Sequence, residues 1–342
     1  MKTEQKIVEV VDGETVTQYT LTNDAKTEIT ILSYGGIWQS FNVYEKGQKV
    51  PLIWGLDSIA DYQRVGYCVG QSIGRVAGRL SGAKFKIDQK TYHVDMNRTG
   101  FSIHGGAHGF NTLNFDGALE QENETVSVTL SKHILSTTDQ YPGNLDVVIK
   151  FSLDNRNRVT IQFTGKTDAP TLFNPTSHVY WNTTIDRCTL AQQSLQVNSQ
   201  QRLVCDEQKV PTGEMIAVKG TAFDFNRPRL LKVAVDDVVN MTAKKEIDET
   251  FVVRPDERQP IAILGDANGN HQVKVFSNRN GLVIFTANPF DSAAEQRGDY
   301  NAVAVEAQTL PDAINHTGFG NIVLRPGQPR TDRIAFQYQP FN

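Results

Sequence analysis

The sequence predicts an all-β protein, a large antiparallel β-sandwich with little helix. Three observations predict it. Apolar and polar residues alternate with period 2 from one end of the chain to the other, Gly, Asn and Asp mark the joins between alternating runs, and no long run places apolar residues at i, i+3, i+4 and i+7. Taken in order, residues 84–87 (KFKI) and 91–94 (TYHV) read as a hairpin across Asp88, Gln89 and Lys90. Residues 125–130 (TVSVTL) and 145–153 (LDVVIKFSL) read as half-buried strands, and the second turns through DNRNR at 154–158 into VTIQF at 159–163. Residues 273–276 (VKVF) are expected to pair with 282–285 (LVIF) across the turn Asn278-Arg279-Asn280-Gly281. No internal repeat, low-complexity tract or long Pro/Gly/Ser linker interrupts the 342 residues, so residues 1–342 are expected to form a single domain.

Composition excludes several classes of function. The chain is 39% apolar and 21% charged with a formal net charge of -4, which offers no basic field for nucleic acid. The first residues, MKTEQK, lack the apolar core of a signal peptide, and no window approaches the ~20 apolar residues of a membrane span. A cytoplasmic protein that engages neither nucleic acid nor membrane, as a monomer or homodimer, is the expectation. Cys68, Cys188 and Cys205 are odd in number, widely spread and without a Cys-x-x-Cys pair, so reduced, buried thiols are expected.

Chemistry concentrates in a few segments. In SIHGGAHGF (102–110), His104 and His108 stand four apart, the spacing that places two imidazoles on one helix face in zinc enzymes. Two consecutive glycines cost a helix ~2 kcal/mol relative to alanines, and glycine suits a tight loop where backbone passes close to a ligand. A helical zinc site therefore fails at its first step, and no further His or Cys stands at a metal-binding spacing. A turn histidine satisfied by backbone stays open as the alternative to a ligand-binding one. In FNPTSHVYWN (173–182) a rigid turn delivers His178 into an aromatic strand, where a saccharide could lie against rings, although a strand-end histidine is commonly structural. In AVAVEAQTLPDA (302–313) an apolar run meets Glu306, and a desolvated carboxylate has a raised pKa suited to a general base near neutrality; a solvated strand-end glutamate is the alternative. GRVAGR (74–79) supplies Arg75 and Arg79, and EIDETF (246–251) supplies Asp248, the cation and carboxylate that hydroxyl recognition uses.

Together these segments resemble the galactose mutarotase, or aldose 1-epimerase, family. The resemblance runs from LSYGG (32–36) through GRVAGR, HGG, NPTSHVYWN and IDETFVV to VEAQTLPDAIN and LRPG (324–327), in family order. It implies a β-supersandwich, no cofactor, no metal, and interconversion of the α and β anomers of a free aldose such as galactose or glucose. By motif position Glu306 implies the base that takes the C1 hydroxyl proton, and His178 the acid that protonates the ring oxygen. His104, Arg75 and Asp248 fall on substrate-holding positions, leaving His108 a bystander. The physical reading agrees: ring opening needs a base and an acid acting on two oxygens of one carbon, and a Glu with a His supplies both.

The chain departs from the family pattern at Ser177, Trp181, Ala307 and Val283, the last replacing a sugar-contacting glutamine of some members. A site lacking a hydroxyl partner discriminates less strongly, so sugar preference is where these departures bear. Rival readings are a disaccharide such as maltose, a hexose 6-phosphate, which requires further basic residues at the site, and a non-catalytic carbohydrate-binding sandwich, which need not keep both Glu306 and His178. A glycoside hydrolase needs two carboxylates flanking the bond and leaves His178 without a task.

Overall fold

A computed structural model describes residues 1–184, 189–269, 271–289, 291–296 and 299–340. It is about 52% strand and 10% helix, with large antiparallel sheets, as the alternation predicts. A nine-stranded sheet runs in the order Asp116–Glu122, Thr125–Ile134, Leu145–Asp154, Arg158–Thr167, Arg330–Pro340, His271–Ser277, Ala262–Asp266, Gln193–Val197 and Arg229–Leu230. A six-stranded sheet runs Tyr180–Trp181, Ala302–Gln308, Gly281–Ala287, Asp248–Val253, Ser199–Cys205 and Pro211–Ala217. The first 51 residues supply a five-stranded sheet, Lys2–Val11 to Gln48–Pro51, joined in chain order.

The main core lies where alternate residues of these sheets meet. Leu145, Val147, Ile149, Phe151 and Leu153 face it from one strand, and Val303, Val305 and Ala307 from another. Trp38, Phe41, Trp181 and Phe336 interlock at ring-centroid distances of 4.9 to 6.1 Å. Burying a large apolar side chain of this kind contributes about 1.5–3 kcal/mol, so this packing holds the six-stranded sheet's outer strand in place.

The pairing of Leu145–Asp154 with Arg158–Thr167 is present as read from sequence, and the first hairpin is present one residue tighter, Lys84–Ile87 with Lys90–His93 across a two-residue turn at Asp88 and Gln89. The expected hairpin at 278–281 is not. His271–Ser277 pairs within the nine-stranded sheet and Gly281–Ala287 within the six-stranded one, so the NRNG segment crosses between sheets. Arg279 is the reason: its guanidinium is buried, faces Asp332 (2.7 Å) and donates to Thr309 Oγ1 (2.7 Å) and to Asn174. A helix also went unread, Leu231–Met241, which buries Leu231, Ala234, Val235 and Val238 at i, i+3, i+4 and i+7. Interleaved valines at 233 and 239 blurred that period. No helix of the described residues is long and apolar enough to cross a membrane. Cys68 and Cys205 are free thiols but only half-buried, and Cys188 lies outside the described residues.

Candidate active site

Glu306 sits in the middle of Ala302–Gln308, a strand buried along its whole length. Val303, Val305 and Ala307 point into the main core, so the period of 2 sends Glu306 to the opposite face, where it stands beside Val283 and, one strand further, Thr250. That face is the floor of a cleft of about 320 Å³, which also takes in Asp248 and Phe285. His178 lies between two short paired segments, and its backbone is pinned at both ends: its N–H donates to the Gln71 carbonyl (2.9 Å) and its carbonyl accepts from Gly70 N–H (2.9 Å). Gly70 has φ +64°, and a Cβ there would lie 2.5 Å from the Trp38 carbonyl oxygen, so this approach requires glycine.

The HGGAH segment is a loop. His104 has φ +55° and the two glycines +86° and +85°, and a Cβ on Gly105 would lie 1.9 Å from the Gly74 carbonyl oxygen. The His104 N–H donates to the Gly78 carbonyl (3.1 Å), and the Gly78 N–H donates back to His104 Nδ1 (3.3 Å). The glycines therefore let HGG lie directly against the GRVAGR segment, while His108 is exposed and off the cleft wall.

The cleft brings His178 and Glu306 together, with Nε2 3.3 Å from Oε1 and side chains 6% and 3% exposed. The His104 ring stands edge-on to His178 at 5.3 Å. Burial pushes the Glu306 carboxyl up to about 8, with the Asp248 charge adding and Arg79 opposing. Burial brings His178 down to about 4, and it also holds His104 well below the ordinary imidazole value. Between those values the pair holds one proton, which burial places on Glu306 beside a neutral His178. Such a pair can accept a proton on one side of a ligand while delivering one on the other. Nδ1 of His178 and Oε2 of Glu306 are buried without hydrogen-bond partners, a cost carried at the one place where a polar ligand would enter.

His104, His178 and Glu306 put one possible ligand atom each within 4.8 Å of one another, so among the described residues this is where a metal could be held. The hydrogen bond from Gly78 sets the chemistry of His104 differently. One ring nitrogen already accepts, so the other carries N–H as a donor, whereas a cation requires a lone pair there. Hydrogen-bond donation to a sugar oxygen fits this tautomer.

Asp248 lines the cleft, with Lys209 Nζ at 2.7 Å and Arg79 Nη2 at 3.9 Å. Arg75 does not line it. The Arg75 side chain is fully buried, forks onto both oxygens of Asp139 (2.6 and 2.9 Å) and donates to the Gly143 carbonyl and Thr171 Oγ1. Every donor face is committed to structure, which corrects its reading as a substrate-holding residue; Arg79 of the same motif reaches the cleft instead, with Nε buried and unpartnered. Tyr67, Arg98, Lys209 and Phe285 also line the cleft and were not singled out from the sequence. Arg79 had a signal in its motif, while the others arrive from loops and a strand that carry none. Of the four departures only Val283 meets the cleft; Trp181 and Ala307 are in the main core, and Ser177 is buried off the cleft wall. Cys68 and Cys205 stand in the cleft wall, where burial pushes their thiols up to about 12 and about 11, so neither is a nucleophile at neutral pH.

Known proteins bear the same architecture and pattern. A family model described as aldose 1-epimerase matches residues 17–337. The chain belongs to the aldose 1-epimerase family. It is 43% identical over 328 residues to a maltose epimerase of Levilactobacillus brevis, covering 96% of both chains, and 35% identical over 350 aligned residues to an aldose 1-epimerase of Streptococcus thermophilus, covering 99% of both. Among solved structures, the galactose 1-epimerase of Lactobacillus acidophilus NCFM superposes with a TM-score of 0.87 at 27% identity, covering 100% of this chain and 99% of that one. The protein is accordingly an isomerase of the aldose epimerase type.

Proposed function

We propose that the protein interconverts the α and β anomers of a free aldose, galactose or glucose, by acid–base ring opening. Once the shared proton has moved from Glu306 to His178 across their 3.3 Å contact, Glu306 as carboxylate takes the proton of the C1 hydroxyl, His178 as imidazolium gives a proton to the ring oxygen, and the C1–O5 bond breaks to leave the open-chain aldehyde. Rotation about C1–C2 followed by the reverse transfers closes the ring on the other face. The proton count of the pair is unchanged at the end of a cycle, and ring opening leaves it as neutral imidazole and carboxylic acid. The observation that carries this reading is the 3.3 Å approach of His178 Nε2 to Glu306 Oε1 at the buried end of the cleft. Asp248, Arg79 and His104 supply the acceptor and donors for the remaining hydroxyls.

Polarimetry of freshly dissolved α-D-galactose and α-D-glucose tests it. Faster relaxation to the unchanged final rotation, absent with Glu306→Gln, is the expected result. No acceleration by folded protein would favour a binding module. A second reading, a reducing disaccharide as substrate, is favoured by the maltose epimerase relative and by Val283, whose apolar side chain stands in the cleft. A hexose 6-phosphate finds less support, since Lys209 is already spent on Glu246 and Asp248.

A further inference from the structure

The segment EIDE at 246–249 puts three carboxylates into four residues, beside a cleft that already holds Glu306. The period of 2 divides them. Glu249 turns away from the cleft and is buried against Arg202 Nη1 (2.7 Å) and Lys244. Asp248 faces the cleft, on the same floor as Glu306 and two strands away. The Arg79 guanidinium comes no nearer than 3.9 Å to Asp248 Oδ2, beyond hydrogen-bond length, so it does not fix that carboxylate. Lys209 does, with Nζ 2.7 Å from the same Oδ2 and in contact with Glu246 as well.

Lys209 arrives from a turn shaped to deliver it. Residues 206–210 join Ser199–Cys205 to Pro211–Ala217. Asp206 closes the turn: its carboxylate accepts from the Gln208 and Val210 N–H groups (both 2.9 Å), its carbonyl accepts from the Lys209 N–H (2.9 Å), and its own N–H donates to the Val210 carbonyl (2.9 Å). Within it Lys209 has φ +63°, in the left-handed region where glycine is the unstrained residue. A turn indifferent to its side chain is best served by glycine there. This one carries an ammonium at a cost in backbone strain, and that ammonium reaches the cleft.

For a bound sugar the contact acts in two ways. Both cations approach Oδ2, so Oδ1 is the Asp248 oxygen with acceptor capacity for a hydroxyl, and the Lys209 contact fixes where it points. Charge matters too. The Asp248 anion adds to the effect of burial on Glu306, while Arg79 opposes both. Glu306 is otherwise faced by His178 and His104 and, more remotely, by the Cys68 thiol and the Tyr180 hydroxyl, none of which is a fixed cation. Lys209 is therefore the cation in direct contact with the anion that bears on the base.

We propose that Lys209 is a positioning residue of this site: it holds the Asp248 carboxylate in one orientation for a sugar hydroxyl and offsets its charge, so that Glu306 does not face an uncompensated anion. The inference rests on the anomerisation reading above and assigns to Lys209 a part that reading leaves open.

Anomeric exchange of glucose and galactose, followed by magnetisation-transfer NMR over sugar concentration and pH, tests it with Lys209→Gly, Lys209→Met and Lys209→Arg beside a thermal melt. Lys209→Gly relieves the left-handed turn of its side chain, so its melting midpoint is expected to be unchanged or higher. It and Lys209→Met should nevertheless raise KM about 5- to 10-fold, the scale of one hydrogen bond, with kcat on the pH plateau altered less. Without the ammonium the Asp248 anion makes the potential at Glu306 more negative, the pair keeps its last proton to higher pH, and the alkaline limb of kcat/KM moves up by roughly half a pH unit. Lys209→Arg should return the limb and most of the KM. Folded Lys209→Gly and Lys209→Met with an unchanged KM, or with an unmoved limb, would overturn this role while leaving the anomerisation activity standing. No exchange with the unaltered protein would instead remove the anomerisation reading, and the role of Lys209 with it.

Discussion

Two buried histidines of this protein each face a glutamate, and only one pair is placed to do chemistry. His271 is 1% exposed, with Nε2 2.9 Å from Glu45 and Nδ1 3.7 Å from Asp266. Glu45 in turn accepts from the Tyr338 hydroxyl, and the His271 ring stacks on Tyr338 at 6.2 Å. The cluster tacks the ends of two sheets together. His178 and Glu306 are nearly as deeply buried, and a ring Nδ1 lacks a hydrogen-bond partner in both regions, but here Glu306 Oε2 is unpartnered as well and the pair opens onto a cleft. Burial alone thus does not mark a site. What separates the regions is polar capacity left over beside space for a ligand.

The comparison breaks first at the catalytic pair. Glu306→Gln and His178→Asn should each lower mutarotation by at least ~100-fold, the scale of a lost general acid or base, with little change in unfolding midpoint. Polarimetry beside a thermal melt reads both, and a folded variant at near-normal rate would remove that residue from the proposed chemistry. The opposite pattern is expected at Arg75. Arg75→Met leaves Asp139 buried without its cation and should cost about 3–5 kcal/mol of stability, read from denaturant unfolding, whereas Arg79→Met should keep the fold and raise KM.

The pH profile sharpens the contrast further. Below about 4 both His178 and Glu306 carry protons and no base remains; above about 8 both have lost them and no acid remains. kcat/KM is therefore expected to be flat between these limits and to fall roughly tenfold per pH unit beyond each. A single limb near the ordinary histidine value would contradict the burial-driven shifts. The smallest effect is expected at His271: His271→Gln should cost about 1 kcal/mol, the order of one hydrogen bond, and leave the rate per folded molecule unchanged.

Much of this was legible in the chain. The strand at 145–153 announces itself because one face is core and the other is not, and Glu306 stands out because a carboxylate interrupts an apolar run. The helix Leu231–Met241 carried a usable signal, hidden among β-branched residues that also suit strands. The crossing at Arg279 carried none, since an NRNG turn reads as a hairpin unless one knows that Asp332 lies beneath it. Arg75 and Arg79 are four apart in one motif, and nothing local distinguishes the arginine that braces the fold from the one that faces a ligand.

The sequence by itself determined the all-β class, the glycine-dependent loop at His104 and the residue types of an acid–base site, because period, backbone freedom and side-chain chemistry are local properties. Only the tertiary structure decided that Arg79 reaches the cleft in place of Arg75, that Lys209, Tyr67 and Phe285 join it, and that His178 and Glu306 meet at 3.3 Å in a buried place. Those outcomes depend on distance and desolvation across segments more than a hundred residues apart, and neither quantity exists until the sheets have packed.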